Sequence, residues 1–305
     1  MIQKVTKKIK ALNKKAEEGS KYKGKDYMIP VSFNNQLLLV YNKKFVTAPP
    51  QTFDELTAVS KRLQNEKKVK YGLVMNTYDP VYTLPFLGAF GGKLFEDTTA
   101  EKKKVSLDTP ATKEWMSFVK KLATEEIIPG EAEFSGADEV FKGGNAAFLI
   151  DGPSNFESFD SAGLEYGVTT LPTINGKYPA PYSTIKGYVV SKAVKDKKKK
   201  EGVKKLITFL NKKENLIKIT QAGKELPVSS EVIKSEKLKS DPVLVAQQIQ
   251  LERSILLPVI AEFEALTTAI AQIQQDVLSG KLKPEDAPKK MQKKAEDSTK
   301  TEEKK

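Results

Sequence analysis

Apolar residues change their spacing several times along the chain, and each change predicts an element. Val5, Ile9 and Leu12 stand at helical spacing among lysines, which predicts an amphipathic helix over residues 4–18, ended by Gly19. Tyr27-Met28-Ile29-Pro30-Val31 reads as a short strand. The run from Gln36 to Tyr41 is apolar without alternation, the pattern of a parallel or central strand covered on both faces. Thr52 and Glu55 form a capping box, so a helix begins there and ends near Lys67. Tyr71–Met75 is a further strand, and Leu84–Phe90 is an apolar segment closed by Gly91-Gly92. Thr109 caps a helix with Trp115, Phe118, Val119 and Leu122 on one face, which makes Trp115 a core residue. Ala137–Lys142 reads as a short helix, and Ala146–Ile150 as a strand that stops at Asp151-Gly152-Pro153. Strands at Tyr166–Thr170 and Ile185–Ser191 follow, then a lysine-rich helix to about Leu210 and a helical last third. This alternation predicts an α/β architecture with largely parallel sheets. Beyond Lys289 the composition is mostly Lys, Glu, Asp, Ser and Thr with almost nothing to bury, which predicts a frayed helix or dispensable tail.

Composition narrows the chemistry. The chain has 305 residues, 39% of them hydrophobic, which suits a folded protein of about two domains. Cys and His are both absent, so disulfides, thiolate metal sites and Ser-His-Asp or Cys-His nucleophile systems are excluded. No metal or cofactor is expected. The net charge of +12 comes from 51 Lys and Arg against 39 Asp and Glu. The cations are nearly all Lys, whereas nucleic-acid readers favour the planar fork of Arg, so no nucleic-acid partner is expected. Lys7-Lys8, Lys14-Lys15, Lys197 to Lys200 and the C-terminal run read as a solvated face attracted to anionic envelopes. Gly143-Gly144 lacks the Gly-Lys-Ser/Thr of a phosphate loop. No run approaches the ~18 consecutive apolar residues of a membrane span, and the start has no apolar signal core.

Four stretches stand in a telling order. The first is Tyr27-Met28-Ile29-Pro30, then Leu39-Val40-Tyr41-Asn42-Lys43, then Pro49-Pro50-Gln51-Thr52-Phe53-Asp54-Glu55-Leu56. Asp79-Pro80-Val81-Tyr82-Thr83-Leu84-Pro85 leads to Gly91-Gly92, and Phe141-Lys142-Gly143-Gly144-Asn145-Ala146-Ala147-Phe148 leads to Gly152-Pro153 and Leu171-Pro172. The last is Phe209-Leu210-Asn211-Lys212-Lys213-Glu214 with Gly223 and Leu226-Pro227. Together they resemble the extracellular solute-binding proteins of sugar-importing ABC transporters, the maltose/maltodextrin-binding group above all. The resemblance implies a two-lobed α/β periplasmic-binding-protein type II fold with hinge crossovers. It implies a non-enzymatic receptor that binds an oligosaccharide in an interlobe cleft, outside the cytoplasm, as a monomer serving membrane permease subunits. In the family, a signal or lipid-anchor segment and the first βα units precede the match at Tyr27. The chain is therefore expected to be N-terminally truncated, with an incomplete first lobe and membrane association only through the missing anchor. The expected boundaries are 1–34 as a remnant of the first lobe, 35–184 as the second lobe and 185–250 as the returning part of the first. Residues 251–288 would complete the second lobe, and 289–305 would form a charged tail.

The resemblance carries a ligand set over residue by residue. Asn35 stands where the pattern has a glutamate before the crossover strand, and Asp79 where it has the acid of Glu-Pro-Tyr-Phe. Tyr82 matches the second aromatic of that motif, while Val81 replaces the first. Ser154 follows Gly152-Pro153 where a tryptophan is usual, Phe263 replaces another tryptophan, and Thr267 replaces an arginine. The residues alone leave alternatives: Asn35 as a loop cap, Asp79 as an Asp-Pro turn former, Tyr82 as packing and Phe263 as helix core. Two other functions compete: a glycosidase using Asp79 and Asp151 as paired carboxylates, and a degenerate surface receptor or adhesin without sugar binding.

Overall fold

The computed structural model describes residues 11–22, 24–34, 36–96, 104–130, 136–257 and 263–302, with side chains to residue 298. In chain order the first elements are α1 (Lys14–Gly19), the paired β1 (Lys21–Tyr22) and β2 (Lys25–Asp26), β3 (Met28–Asn34) and β4 (Leu38–Asn42). Then come α2 (Phe53–Asn65), β5 (Tyr71–Val74), a 3-10 turn at Pro80–Tyr82, α3 (Leu84–Ala89), α4 (Pro110–Thr124) and α5 (Ala137–Lys142). β6 (Ala146–Asp151), a 3-10 turn at Pro153–Asn155, α6 (Phe156–Ser161), β7 (Tyr166–Thr169) and β8 (Tyr182–Val189) follow. The chain continues with α7 (Lys197–Leu210), α8 (Lys213–Gly223), α9 (Ser230–Ile233), α10 (Pro242–Arg253), β9 (Ile255–Leu256), α11 (Phe263–Leu278) and α12 (Ala287–Glu302).

Two compact units divide this chain. The first takes the described residues of Met1–Gln36, Gly152–Glu157 and Ser183–Val259; the second takes those of Leu37–Asp151, Ser158–Tyr182 and Ile260–Lys305. Apart from shifts of two residues at the 34/35 and 184/185 boundaries, the division differs from the expected one in two places. Gly152–Glu157 belongs to the first unit, and so does the segment after Leu251, because β9 pairs beside β8 in the first unit's sheet.

In the first unit the described sheet has the order β3-β8-β9, with β3 antiparallel to β8. Pro30 has no amide to donate, and the strand accommodates it at a sheet edge beside a register shift between Pro30 and Ser32. Gly187 faces Pro30, and a Cβ there would stand 2.3 Å from the Ile29 carbonyl oxygen, so glycine is required by close approach. Phe33 packs with Ala16, Leu226, Val228 and Leu251, whereas Val31 packs with Leu216, Val232, Leu238 and Leu244. The expected helix over 4–18 is shorter among the described residues, beginning at Lys14 with Asn13 as its cap. Ala11 adopts φ 51° and Leu12 pairs with Ser229, which takes both out of any helix.

The second unit holds a sheet of order β5-β6-β4-β7. Only β5–β6 is parallel there; β4 runs antiparallel to both β6 and β7. The expectation of largely parallel sheets is therefore corrected. An unbroken apolar strand reports cover on both faces, as β4 and the wholly buried β6 have, and says nothing of direction. Helix α2 begins at the expected cap, with the Thr52 hydroxyl accepting the Glu55 amide at 3.1 Å, while the Glu55 carboxylate reaches back one residue further and accepts the Gln51 amide at 2.7 Å. Trp115 is fully buried on α4, and Phe53, Phe86 and Phe118 meet edge to face at 5.2–5.3 Å. The expected tail is likewise corrected: residues 287–302 form α12, packed on α11 and α4. Ala287, Met291 and Ala295, spaced by four, are fully buried along one stripe while Lys289, Lys290, Lys293 and Lys294 are exposed. Gln292 fastens the helix by accepting the Leu107 amide at 2.6 Å and donating to the Val105 carbonyl at 3.0 Å.

Candidate functional site

The loop after β5 folds back on itself through one amide side chain. Asn76 Oδ1 accepts the backbone amides of Tyr78 at 3.0 Å and Asp79 at 3.1 Å, which turns the chain into Pro80. Asp79 then caps the 3-10 turn, its Oδ1 accepting the Val81 amide at 2.9 Å, while Pro80 brings no amide that needs a partner. The Asp-Pro pair thus makes the turn, and that turn holds Asp79 and Tyr82 three residues apart, one revolution of a 3-10 helix.

Tyr82 is half-buried, and its hydroxyl donates to Asp151 Oδ1 at 3.4 Å. Asp151 ends β6, lies opposite Leu38 of β4 and is only 3% exposed. Burial, then the negative charges of Asp151 and Asp79, hold the Tyr82 phenol well above its ordinary pKa. The phenol keeps its proton at neutral pH, as any tyrosine does, and directs it to Asp151, with Asp79 close by and an aromatic ring to offer. Tyr78, 55% exposed in the same loop, adds a second aromatic surface. Hydroxyl-rich neutral molecules suit such a set, because carboxylates accept their hydroxyls and ring faces cover their C–H surfaces.

The structure brings together Asp79 and Tyr82 of the expected residues, and adds Asp151 and Tyr78. Asp151 entered the sequence reading only as half of an enzymatic pair; its position at a strand's end before Gly-Pro was the available signal. Phe263 is the first described residue of α11, half-buried, in the same unit. Ser154 is exposed within the 3-10 turn Pro153–Asn155, in the first unit. Asn35 lies outside the described residues. Among the described residues no group of three or more acidic side chains is placed to hold a metal ion, and no helix is long and apolar enough to cross a membrane.

Comparisons with known proteins converge on one group. The maltotriose-binding protein of Pyrococcus abyssi (strain GE5 / Orsay) is 30% identical over 252 residues, covering 80% of this chain and 53% of that protein. The galactooligosaccharide-binding protein of Bacillus subtilis (strain 168) is 26% identical, covering 82% of this chain and 61% of its own length. The chain thus spans between half and two thirds of these relatives. Among solved structures, the maltose/maltodextrin-binding domain MalE from Bdellovibrio bacteriovorus bound to maltotriose superposes with a TM-score of 0.83 at 30% identity, over 95% of this chain and 76% of that one. The two units of mixed helix and sheet are accordingly those of the two-lobed type II periplasmic-binding fold. The family profile for bacterial extracellular solute-binding proteins matches residues 1–246, most of the chain, and to that family the chain belongs.

Proposed function

We propose that the chain is the substrate-binding component of a carbohydrate ABC importer and takes maltose- or maltodextrin-like oligosaccharides. The observation that carries this reading is the Asp79–Tyr82 turn seated beside Asp151, a set of hydroxyl acceptors and an aromatic ring with no cation among them. The names of the relatives support it: one binds maltotriose, and the solved domain holds maltotriose. Asn35, Asp79, Tyr82, Ser154 and Phe263 act as the chain's ligand residues. The protein works outside the cytoplasm as a monomer, passes its sugar to membrane permease subunits and leaves it chemically unchanged. The ligand is uncharged, since no Lys or Arg stands among these residues to meet a phosphate or carboxylate.

Calorimetric titration of the purified chain tests this with maltose, maltotriose, a galactooligosaccharide and maltose 1-phosphate. Maltotriose is expected to bind, and the phosphate ester to bind no better than maltose. Absence of heat with every sugar favours a surface receptor that binds none, and a strong preference for the phosphate overturns the site assignment. Turnover of a chromogenic α-glucoside would restore the paired-carboxylate enzyme.

A further inference from the structure

Segment 77–83, which carries Asp79 and Tyr82, is fastened at both ends to one buried side chain of another element. Gln274 of α11 has no exposed surface. Its Nε2 donates to the Thr77 carbonyl at 2.8 Å, and its Oε1 accepts the Thr83 hydroxyl at 2.5 Å. Thr77 and Thr83 are themselves fully buried. Gln275 adds a second donor to the Thr77 carbonyl at 2.8 Å, and the Thr83 hydroxyl also reaches the Pro80 carbonyl at 3.2 Å. One primary amide thus spans the turn from its entry to its exit, using a donor for one end and an acceptor for the other.

The same helix carries Phe263. Positions 263, 267, 270 and 274 follow the spacing of one helix side, and Phe263 precedes Gln274 by three turns, ~16 Å along the axis. We infer that Gln274 is a positioning residue for the sugar site: it locks the Asp79–Tyr82 turn to α11 and so fixes the distance between that turn and Phe263. This rests on the sugar-binding reading above. A side chain that only filled the core would be replaceable by an apolar one of similar volume. Gln274 is not, because an apolar replacement takes away one of the two donors on the Thr77 carbonyl and the nearer of the two acceptors of the Thr83 hydroxyl, and with them the one side chain that ties the turn's entry to its exit.

The test compares four variants with the parent chain, all at a temperature where each is folded by circular dichroism. Gln274→Leu removes both bonds, Thr83→Val removes one, Thr83→Ser restores that one, and Ile273→Ala weakens α11 by a cavity while leaving Gln274, Thr77 and Thr83 in place. Two readouts are taken: maltotriose affinity by calorimetry, and hydrogen exchange of the Tyr78, Asp79, Val81 and Tyr82 amides. Gln274→Leu and Thr83→Val are expected to bind at least tenfold more weakly and to exchange these amides faster. Thr83→Ser should match the parent, and Ile273→Ala should lower the melting temperature with affinity and local exchange unchanged. Parent-like affinity and exchange in both Gln274→Leu and Thr83→Val overturn the inference, as does an equal loss in Ile273→Ala. Should Gln274→Leu fail to fold, Thr83→Val and its serine counterpart decide. A parent chain that binds no maltotriose refutes the functional reading alone, and amide exchange then decides whether Gln274 holds the turn.

Discussion

Asp79 has one observed role and one proposed role, and a pair of substitutions separates them. Its Oδ1 caps the turn by accepting the Val81 amide, and the carboxylate charge is what a sugar hydroxyl would use. Asp79→Asn keeps an acceptor for the cap and deletes the charge, so maltotriose affinity should fall by about 1–3 kcal/mol with little change in melting temperature. Asp79→Ala also removes the cap and should cost a further ~1 kcal/mol of stability. Equal melting temperatures for the two variants would contradict the cap, and a parent-like maltotriose affinity in Asp79→Asn would contradict the ligand role. Tyr182 shows a different residue-level effect. Burial pushes its phenol up to about 12, against a smaller opposing pull from the Leu94 amide that it accepts at 3.1 Å. The unfolded phenol titrates near ~10, so the folded chain holds this proton longer. Its contribution to stability is complete below pH ~10 and is lost as pH rises past that value towards the folded one. Thermal unfolding between pH 9 and 12 should therefore decline less steeply in Tyr182→Phe than in the parent. Lys15 departs from its reading as a solvated cation: its Nζ donates to the Leu251 and Ser254 carbonyls at the end of α10, and burial lowers its pKa. A lysine pair in sequence looks the same whether it meets water or a helix C-terminus.

Helix α12 gives the clearest test at the scale of elements. Met291→Ala should destabilise the chain by about 2–5 kcal/mol in urea unfolding. Lys293→Ala, on the exposed side, should stay within about 0.5 kcal/mol. If both are neutral, the helix contributes nothing and the segment behaves as the tail its composition suggested. The comparison also shows what the sequence made legible and why. Capped helices such as α2 and α4 were readable because Thr52 and Thr109 state their starts through local chemistry. α12 was hidden because its buried stripe is one methionine and two alanines among lysines, too little apolar surface to stand out from a solvated run. Strand positions were readable from apolar runs, but strand direction was not, since β4 is flanked antiparallel by partners far away in sequence. Within the site, Asp79 and Tyr82 lie in one short motif and could be picked out together. Asp151 reaches Tyr82 only through sheet pairing, and Gln274 reaches the turn from a distant helix; no local spacing encodes either contact.

For the whole molecule, a ligand that binds only the folded state must stabilise it. Maltotriose at a hundred times its dissociation constant should add about 2.7 kcal/mol, seen as a raised melting temperature in a thermal-shift series. A melting temperature indifferent to saturating sugar would count against the proposed function. Neither unit is one continuous stretch of chain. The second unit begins at Leu37 yet receives α11 and α12, with Leu266, Ile270 and Met291 of its core, only after the whole returning part of the first unit. Synthesis proceeds from the N-terminus at about 5–20 residues per second, so α4 leaves the ribosome long before α11 and α12, the helices that pack on it. The usual order, in which an early domain finishes before a later one starts, is unavailable to this chain. Its nested layout keeps the second unit open until α11 and α12 have been made, and a ribosome that stalls between β8 and α10 releases two unfinished cores instead of one finished domain.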